Sequence, residues 1–89
     1  MSETKYLFEG KEVEEVWESY NGDYWVITDR RENNHPYGFA YLSSHSQFAE
    51  WGLINEEIVR NSTVWQVDKM NWTIAGPEEI DIEKVVVNE

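Results

Sequence analysis

The aromatic content of this acidic chain is the feature that most constrains its fold. Its 89 residues carry a formal net charge of -11, yet they include five Trp, five Tyr and three Phe. Disordered acidic segments are poor in aromatic and β-branched residues, because such segments cannot bury enough apolar surface to offset the entropy of ordering. The sequence therefore predicts a folded domain with an acidic exterior.

The length of the chain supports one hydrophobic core, so we expect a single domain spanning residues 1–89. Buried aromatic side chains cover roughly 150–250 Å² each, and this chain has more of them than a small core usually encloses. Some rings should therefore lie partly exposed, as half-buried surface residues or as a self-association surface. A structural homodimer that buries the surplus rings is one hypothesis for the function.

Cysteine usage and the N-terminal sequence bear on the compartment. The chain has no Cys, so we expect neither a disulfide framework nor a thiolate metal site. Residues 1–5 lack the basic and then apolar pattern of a secretory signal, and no apolar run approaches the length of a membrane span. These features predict a cytoplasmic protein without membrane contacts.

Alternating apolar residues indicate several strands joined by short turns, which favours antiparallel pairing. Gly38 within one of these strands marks a bulge or a close approach of two backbones. A polar loop over residues 30–36 separates two strands, because Pro36 does not fit a central strand. The predicted strands lie at residues 4–9, 24–29, 37–42, 63–75 and 80–87.

Residues 12–20 fit two different structures. Their apolar side chains share one face of a helix, whereas the Asn21-Gly22 pair that follows is a strong hairpin signal. The clear strand after this pair favours the hairpin. A two-residue turn would then place Trp17 opposite Val26.

A short helical region is expected between the two β-rich halves, around residues 46–60. Serines at 43–46 would cap its start, Gly52 would end its first stretch and Asn55 would cap a second stretch. The whole pattern predicts an α+β domain with a mainly antiparallel sheet of five or six strands. The expected core side chains are Phe8, Trp25, Ile27, Phe39, Tyr41, Phe48, Ile58, Trp65, Val67 and Ile82.

The acidic residues are concentrated at the two ends of the chain. Residues 1–23 have a net charge of -5, residues 78–89 have -4 and residues 24–77 have only -2. If the two ends lie side by side, they form one negative patch on the surface. If they do not, the charge serves mainly to keep the protein in solution.

No sequence motif predicts an enzyme. Neither a G-x-S-x-G serine motif nor a phosphate-binding glycine loop occurs. The serines that flank His45 are explained more simply as helix caps than as nucleophiles. We therefore expect no enzymatic activity and no cofactor.

Metal binding has little support. His35 and His45 could form a site with Asp29 or Glu32 if the loop and the helix entry met in space. Their spacing matches no recognised ligand pattern, so no metal is expected.

Direct binding to nucleic acid is also not expected. Phosphate contacts need clustered Lys and Arg, and only Arg30 and Arg31 are adjacent. The opposite arrangement is a further hypothesis, in which the acidic ends imitate a phosphate array. Such a mimic would occupy a nucleic-acid-binding protein.

The principal hypothesis is a non-enzymatic protein-interaction module that acts on a basic protein partner, as an inhibitor or an accessory factor. Charge would speed encounter and select partners, while a few aromatic side chains would supply the affinity. An alternative is a protein that binds a small molecule or a metal through the loop at 30–36. The candidate binding residues are Glu12, Glu14, Glu15, Glu18, Glu78, Glu79, Asp81, Glu83, Arg30, Arg31 and His35.

Overall fold

A computed structural model describes residues 5–81, with the side chain of Ser46 excepted. This part of the chain contains seven strands and one α-helix. The strands and the helix are β1 (Leu7–Phe8), β2 (Lys11–Glu12), β3 (Glu15–Ser19), β4 (Tyr24–Arg30), β5 (Pro36–Tyr41), β6 (Glu50–Leu53), α1 (Glu56–Arg60) and β7 (Val64–Gln66).

Five of the strands form one antiparallel sheet in the order β6-β5-β4-β3-β7, and β1 pairs with β2 as a separate two-stranded sheet. Short 3-10 helices lie at Glu32–Asn34, Ser43–Phe48 and Lys69–Asn71. The predicted fold class is confirmed: the protein is α+β, and residues 5–81 contain a mainly antiparallel sheet and one short helix.

The hairpin prediction for residues 12–20 is confirmed, but its register was wrong by one residue. Trp17 lies opposite Trp25 rather than Val26. The backbone N–H of Ser19 donates to the Asp23 carbonyl at 3.0 Å, which leaves three residues in the loop instead of two.

Gly22 explains the longer loop. Its N–H donates to the Ser19 carbonyl at 3.2 Å and its φ is +88°. A tight turn followed by a residue in the left-handed region is the usual form of a three-residue hairpin loop, and glycine adopts that region without strain.

The sheet is covered on both faces. Neighbouring residues of β4 point to opposite sides, so this strand contributes side chains to a cluster on each face. On one face, Val26 belongs to the hairpin-side cluster, against which Tyr6 and Phe8 pack; its buried members are Val13, Val16, Val26, Val67, Trp72 and Ile80. On the other face lies the helix-side cluster, formed by Trp25, Ile27, Ile54 and Val59.

The predicted core was right in its centre and wrong at its edges. Trp25, Ile27 and Val67 are buried, and Phe8, Phe39 and Tyr41 are half-buried. The side chains of Phe48, Ile58 and Trp65 are exposed instead, while Ile82 lies outside the described residues. On α1, the neighbouring Val59 faces the core, which turns Ile58 outward.

The region around residues 46–60 is only partly helical. Residues Glu50–Leu53 form strand β6, so Gly52 lies inside a strand and does not end a helix. Trp51 pairs with Phe39 across the sheet, and such cross-strand packing outweighs local helix preference. The cap at Asn55 is confirmed, since its side chain accepts the Glu57 N–H at 2.8 Å.

The predicted strand over residues 63–75 is reduced to β7. A 3-10 helix follows at Lys69–Asn71, Trp72 is buried, and Ile74 forms an isolated antiparallel bridge with Ile80. The predicted terminal strand beyond residue 81 lies outside the described residues.

Gly38 is confirmed as a close approach of two backbones. A Cβ atom at this position would lie 1.8 Å from the carbonyl oxygen of Val26. The β4–β5 register also shifts between Ile27 and Asp29, next to this contact. A side chain therefore has no room at Gly38.

Candidate functional site

The described parts of the two acidic ends meet in the structure. The N–H of Leu7 donates to the Glu78 carbonyl at 2.6 Å, and the N–H of Ile80 donates to the Leu7 carbonyl at 2.8 Å. The Glu79 carboxylate also accepts the backbone N–H of Glu9. We call this surface, formed by residues 7–12 and 78–81, the acidic junction.

The turn between β1 and β2 sets the position of Glu9 in the junction. Glu9 and Gly10 both have positive φ, at 53° and 84°. They form the two-residue loop of a tight hairpin in which Phe8 pairs with Lys11. Glu12 and Glu78 are exposed beside this turn, and Glu79 is half-buried.

Four half-buried rings form an aromatic panel next to the junction, consisting of Phe8, Tyr37, Phe39 and Trp51. The Phe39 ring lies 5.4 Å from Phe8 and 5.8 Å from Trp51, measured between centroids. Tyr37 stacks with Trp51 at 6.4 Å. Ring pairs at such distances add about 0.5–1.5 kcal/mol each to the stability from burial.

The acidic junction and the aromatic panel share Phe8 and are also joined by a hydrogen bond. The indole N–H of Trp51 donates to a carboxylate oxygen of Glu9 at 3.3 Å. The Lys11 ammonium lies 5.9 Å from the centre of the Trp51 ring. Trp51 is thus the ring at which negative charge and exposed aromatic surface come together.

Glu15, one of the predicted acidic residues, has its structural partners away from the acidic junction. Glu15 forms an ion pair with Arg30 at 3.1 Å and accepts the Trp17 indole N–H at 2.9 Å. Arg30 also approaches Glu56 of α1 at 3.9 Å. These contacts place Glu15 and Arg30 in a half-buried ion pair rather than in the junction.

Glu18 lies beside β7, at the sheet edge opposite β6. Its carboxylate accepts the Trp65 indole N–H at 3.0 Å, and Trp65 packs edge-on against the exposed Tyr20 at 4.7 Å. Partial burial raises the pKa of Glu18 above its usual value, and the Trp65 hydrogen bond offsets part of that rise.

The other predicted acidic residues lie in three different places. Glu14 is exposed, and its N–H donates to the Ile27 carbonyl at 2.8 Å. Asp81 is half-buried at the end of the junction, where its N–H donates to the Thr73 carbonyl. Glu83 lies outside the described residues.

The predicted basic loop forms a second candidate site, but its predicted bounds were wrong, because Arg30 ends β4 and Pro36 begins β5, which is not an edge strand. A proline fits the first position of a strand, where its missing N–H costs little. Arg31 stacks on Tyr37, with its guanidinium carbon 3.8 Å from the ring centre, and pairs with Asp29 at 3.1 Å. The loop borders an open concave site of about 420 Å³, and its lining residues are Arg31, Glu32, Asn33, His35 and Leu53. Within residues 5–81, no three His, Asp or Glu side chains are grouped as metal ligands.

Sequence reasoning missed Trp51 as a site residue. It lies in a stretch that resembles a helix, and its strand is formed by pairing with β5. The sequence does contain a local signal for its partner Glu9. The pair Glu9-Gly10 resembles a turn, which would place the Glu9 carboxylate at the tip of a hairpin.

Comparisons of this chain with protein-family models, with curated proteins and with solved structures find no match. Over the described range, no helix combines the length and the apolar character that a membrane crossing requires.

Proposed function

We propose that this protein is a non-enzymatic interaction module. It binds a basic protein partner through the surface where the acidic junction meets the aromatic panel, and it acts there as an inhibitor or an accessory factor. The observation that carries the proposal is the position of Glu9, whose backbone N–H donates to Glu79 and whose carboxylate accepts from Trp51.

The two parts of the surface have different roles in binding. The net charge of -11 attracts a basic partner over a distance of about one Debye length and raises the association rate. Trp and Tyr side chains are the residues that most often dominate the affinity of protein interfaces. The half-exposed Trp51 and Tyr37 provide that contact here.

Affinity capture with two matched variants tests the proposal. The immobilised protein is incubated with cell lysate at about 50 mM salt, where charge attraction is strong, and washed at about 0.5 M salt. Glu12→Gln/Glu78→Gln removes two charges from the acidic junction. Glu32→Gln/Glu57→Gln removes two exposed charges elsewhere and serves as the control.

We expect basic proteins to be captured at low salt, released at high salt and lost from the junction variant only. Recovery of no partner, or equal loss from both variants, contradicts the proposal. A captured protein that also binds DNA and loses it on capture identifies this module as a nucleic-acid mimic.

The concave site at Arg31 and His35 supports a second candidate function, the binding of a small anionic molecule. Arg31, stacked on Tyr37, offers guanidinium N–H groups, and His35 adds a second polar ring. A thermal-shift screen with small carboxylates and phosphates tests this candidate. A compound that stabilises the wild type and not His35→Ala supports it, and no stabilisation by any compound rejects it.

A further inference from the structure

Strand β6 is an open edge of the main sheet in the part of the chain that the structure describes. The N–H of Ile54 donates to the Pro36 carbonyl at 2.9 Å, which fixes Pro36 and Ile54 as a bonded pair. Bonded pairs alternate along an antiparallel ladder. The backbone groups of Gly52 therefore face β5, and those of Trp51 and Leu53 face away from it.

This edge carries few of the features that normally prevent strand addition. Edge strands are often protected by Pro, Lys or a bulge, whereas β6 has the sequence Glu-Trp-Gly-Leu and pairs with β5 without a register shift. Leu53 is 68% exposed. The edge thus presents backbone groups and apolar surface together.

Gly52 is not required by the fold. It has no positive φ, and a Cβ atom on it would meet nothing within 4 Å. A glycine inside a strand often marks a place where another chain or a ligand comes close to the backbone. Its position in the middle of an open edge is consistent with such an approach.

We propose that the β6 edge binds an extended basic segment of the partner protein as an additional antiparallel strand. This inference rests on the proposed function and specifies how the partner binds. In such a pair, residues opposite Trp51 and Leu53 point to the face of the aromatic panel. Alternate residues point to the face that carries Glu50.

Charge favours a basic segment over a second copy of this chain. Glu50 is exposed on one face of the edge, whereas on the other face Glu9 and Lys11 both lie against Trp51 and their charges offset. Arg31, near the same edge, is already paired with Asp29. A second copy would bring another net charge of -11 to the interface, and like charges would oppose its binding.

Synthetic peptides test the proposal without knowledge of the natural partner. The probe is a short peptide of alternating Val and Lys, titrated into the protein at low salt by calorimetry. One modified probe is N-methylated on every Val amide, which faces β6 in the proposed pair. The matched control is N-methylated on every Lys amide, which faces solvent.

We expect the unmodified probe to bind and methylation of the Val amides to weaken it about tenfold or more, since each lost hydrogen bond is worth roughly 1 kcal/mol. Methylation of the Lys amides should change the affinity less than about twofold. No binding of the unmodified probe, or equal weakening by both modifications, overturns the proposal.

A charge exchange at Glu50 provides a second measurement. Glu50 is exposed, so Glu50→Lys should fold like the wild type. We expect this variant to bind the Val-Lys probe about fivefold more weakly and a Val-Glu probe more tightly, as expected for one exposed charge pair. Unchanged preference for the Val-Lys probe contradicts the proposal.

The two sets of experiments separate the edge proposal from the proposed function. If a captured partner depends on Glu12 and Glu78 but the Val-Lys probe does not bind, the proposed function holds and the edge proposal is wrong. If the probe binds with the expected effect of methylation but capture recovers no partner, the edge accepts strands and the proposed function is wrong.

Discussion

Two glycines that face each other across β5 and β6 have opposite structural roles. Gly38 and Gly52 are directly paired. The first is held against the backbone of β4, where a Cβ atom would lie 1.8 Å from the Val26 oxygen, and the second has open space around it. The same residue type is thus a packing requirement at one position and dispensable for folding at the other.

This difference predicts the effect of adding one methyl group at each glycine. Gly38→Ala should lower the free energy of unfolding by more than about 3 kcal/mol, because the backbones of β4 and β5 must separate. Gly52→Ala is the matched control and should change it by less than about 1 kcal/mol, towards greater stability. Urea denaturation measures both values, and equal effects would refute the close approach at Gly38.

The raised pKa of Glu18 predicts how this residue affects stability with pH. Because burial raises its pKa above the ordinary value of 4.5, the folded state holds the proton more strongly than the unfolded state. The contribution of Glu18 to stability is therefore lost as pH rises through the window between 4.5 and the raised pKa. At pH 7 the fold therefore accommodates the ionised carboxylate less well than the protonated carboxyl group.

Glu18→Gln should therefore be more stable than the wild type at pH 7, since Gln still accepts the Trp65 indole N–H. The gain should disappear as pH falls below 4.5. Glu14→Gln, at an exposed position of the preceding segment, controls for the removal of one charge. A carboxyl pKa for Glu18 at or below its usual value, measured by NMR titration, would show that burial does not raise the pKa of this residue.

Among the secondary-structure elements, the short helix α1 depends on a local hydrogen bond at its N-terminus. Asn55 caps α1 with a hydrogen bond to the Glu57 N–H, and the helix has only five residues. So short a helix is not stable alone, and it depends on its cap and on the packing of Val59. The cap therefore matters more here than in a long helix.

Asn55→Ala should lower the free energy of unfolding by about 1 kcal/mol, and Asn55→Asp should retain most of the stability because its carboxylate accepts the same hydrogen bond. Chemical denaturation of the two variants checks this expectation. Equal losses in both would mean that the side chain of Asn55 contributes by some route other than capping.

The sequence predicted some elements and not others, for physical reasons. Strand β4 and the cap at Asn55 depend on local patterns, which a single sequence contains. Strand β6 depends on pairing with β5, and the contact of Trp51 with Glu9 joins residues 42 positions apart. Such long-range contacts have no local pattern, so the acidic junction was foreseen only as a possibility and the aromatic panel beside it was missed.

For the whole molecule, we expect the acidic junction to lower the stability of the fold. With a net charge of -11, carboxylates brought together in the junction repel one another. Raising the salt concentration from about 0.02 M to 0.5 M should increase the free energy of unfolding by about 1 kcal/mol. Glu12→Gln/Glu78→Gln should show a smaller increase than the wild type. If the control Glu32→Gln/Glu57→Gln shows an equally small increase, the junction has no special role.

The footprint of a captured basic partner on this protein shows whether Trp51 and the acidic junction form the binding surface. The five Trp of this chain give indole N–H resonances that report on different surfaces. Addition of the partner should shift the indole resonance of Trp51 and the backbone amides of Glu9 and Glu79. Shifts confined to Trp65 and the residues of α1, with the Trp51 indole unchanged, would show that the partner binds elsewhere.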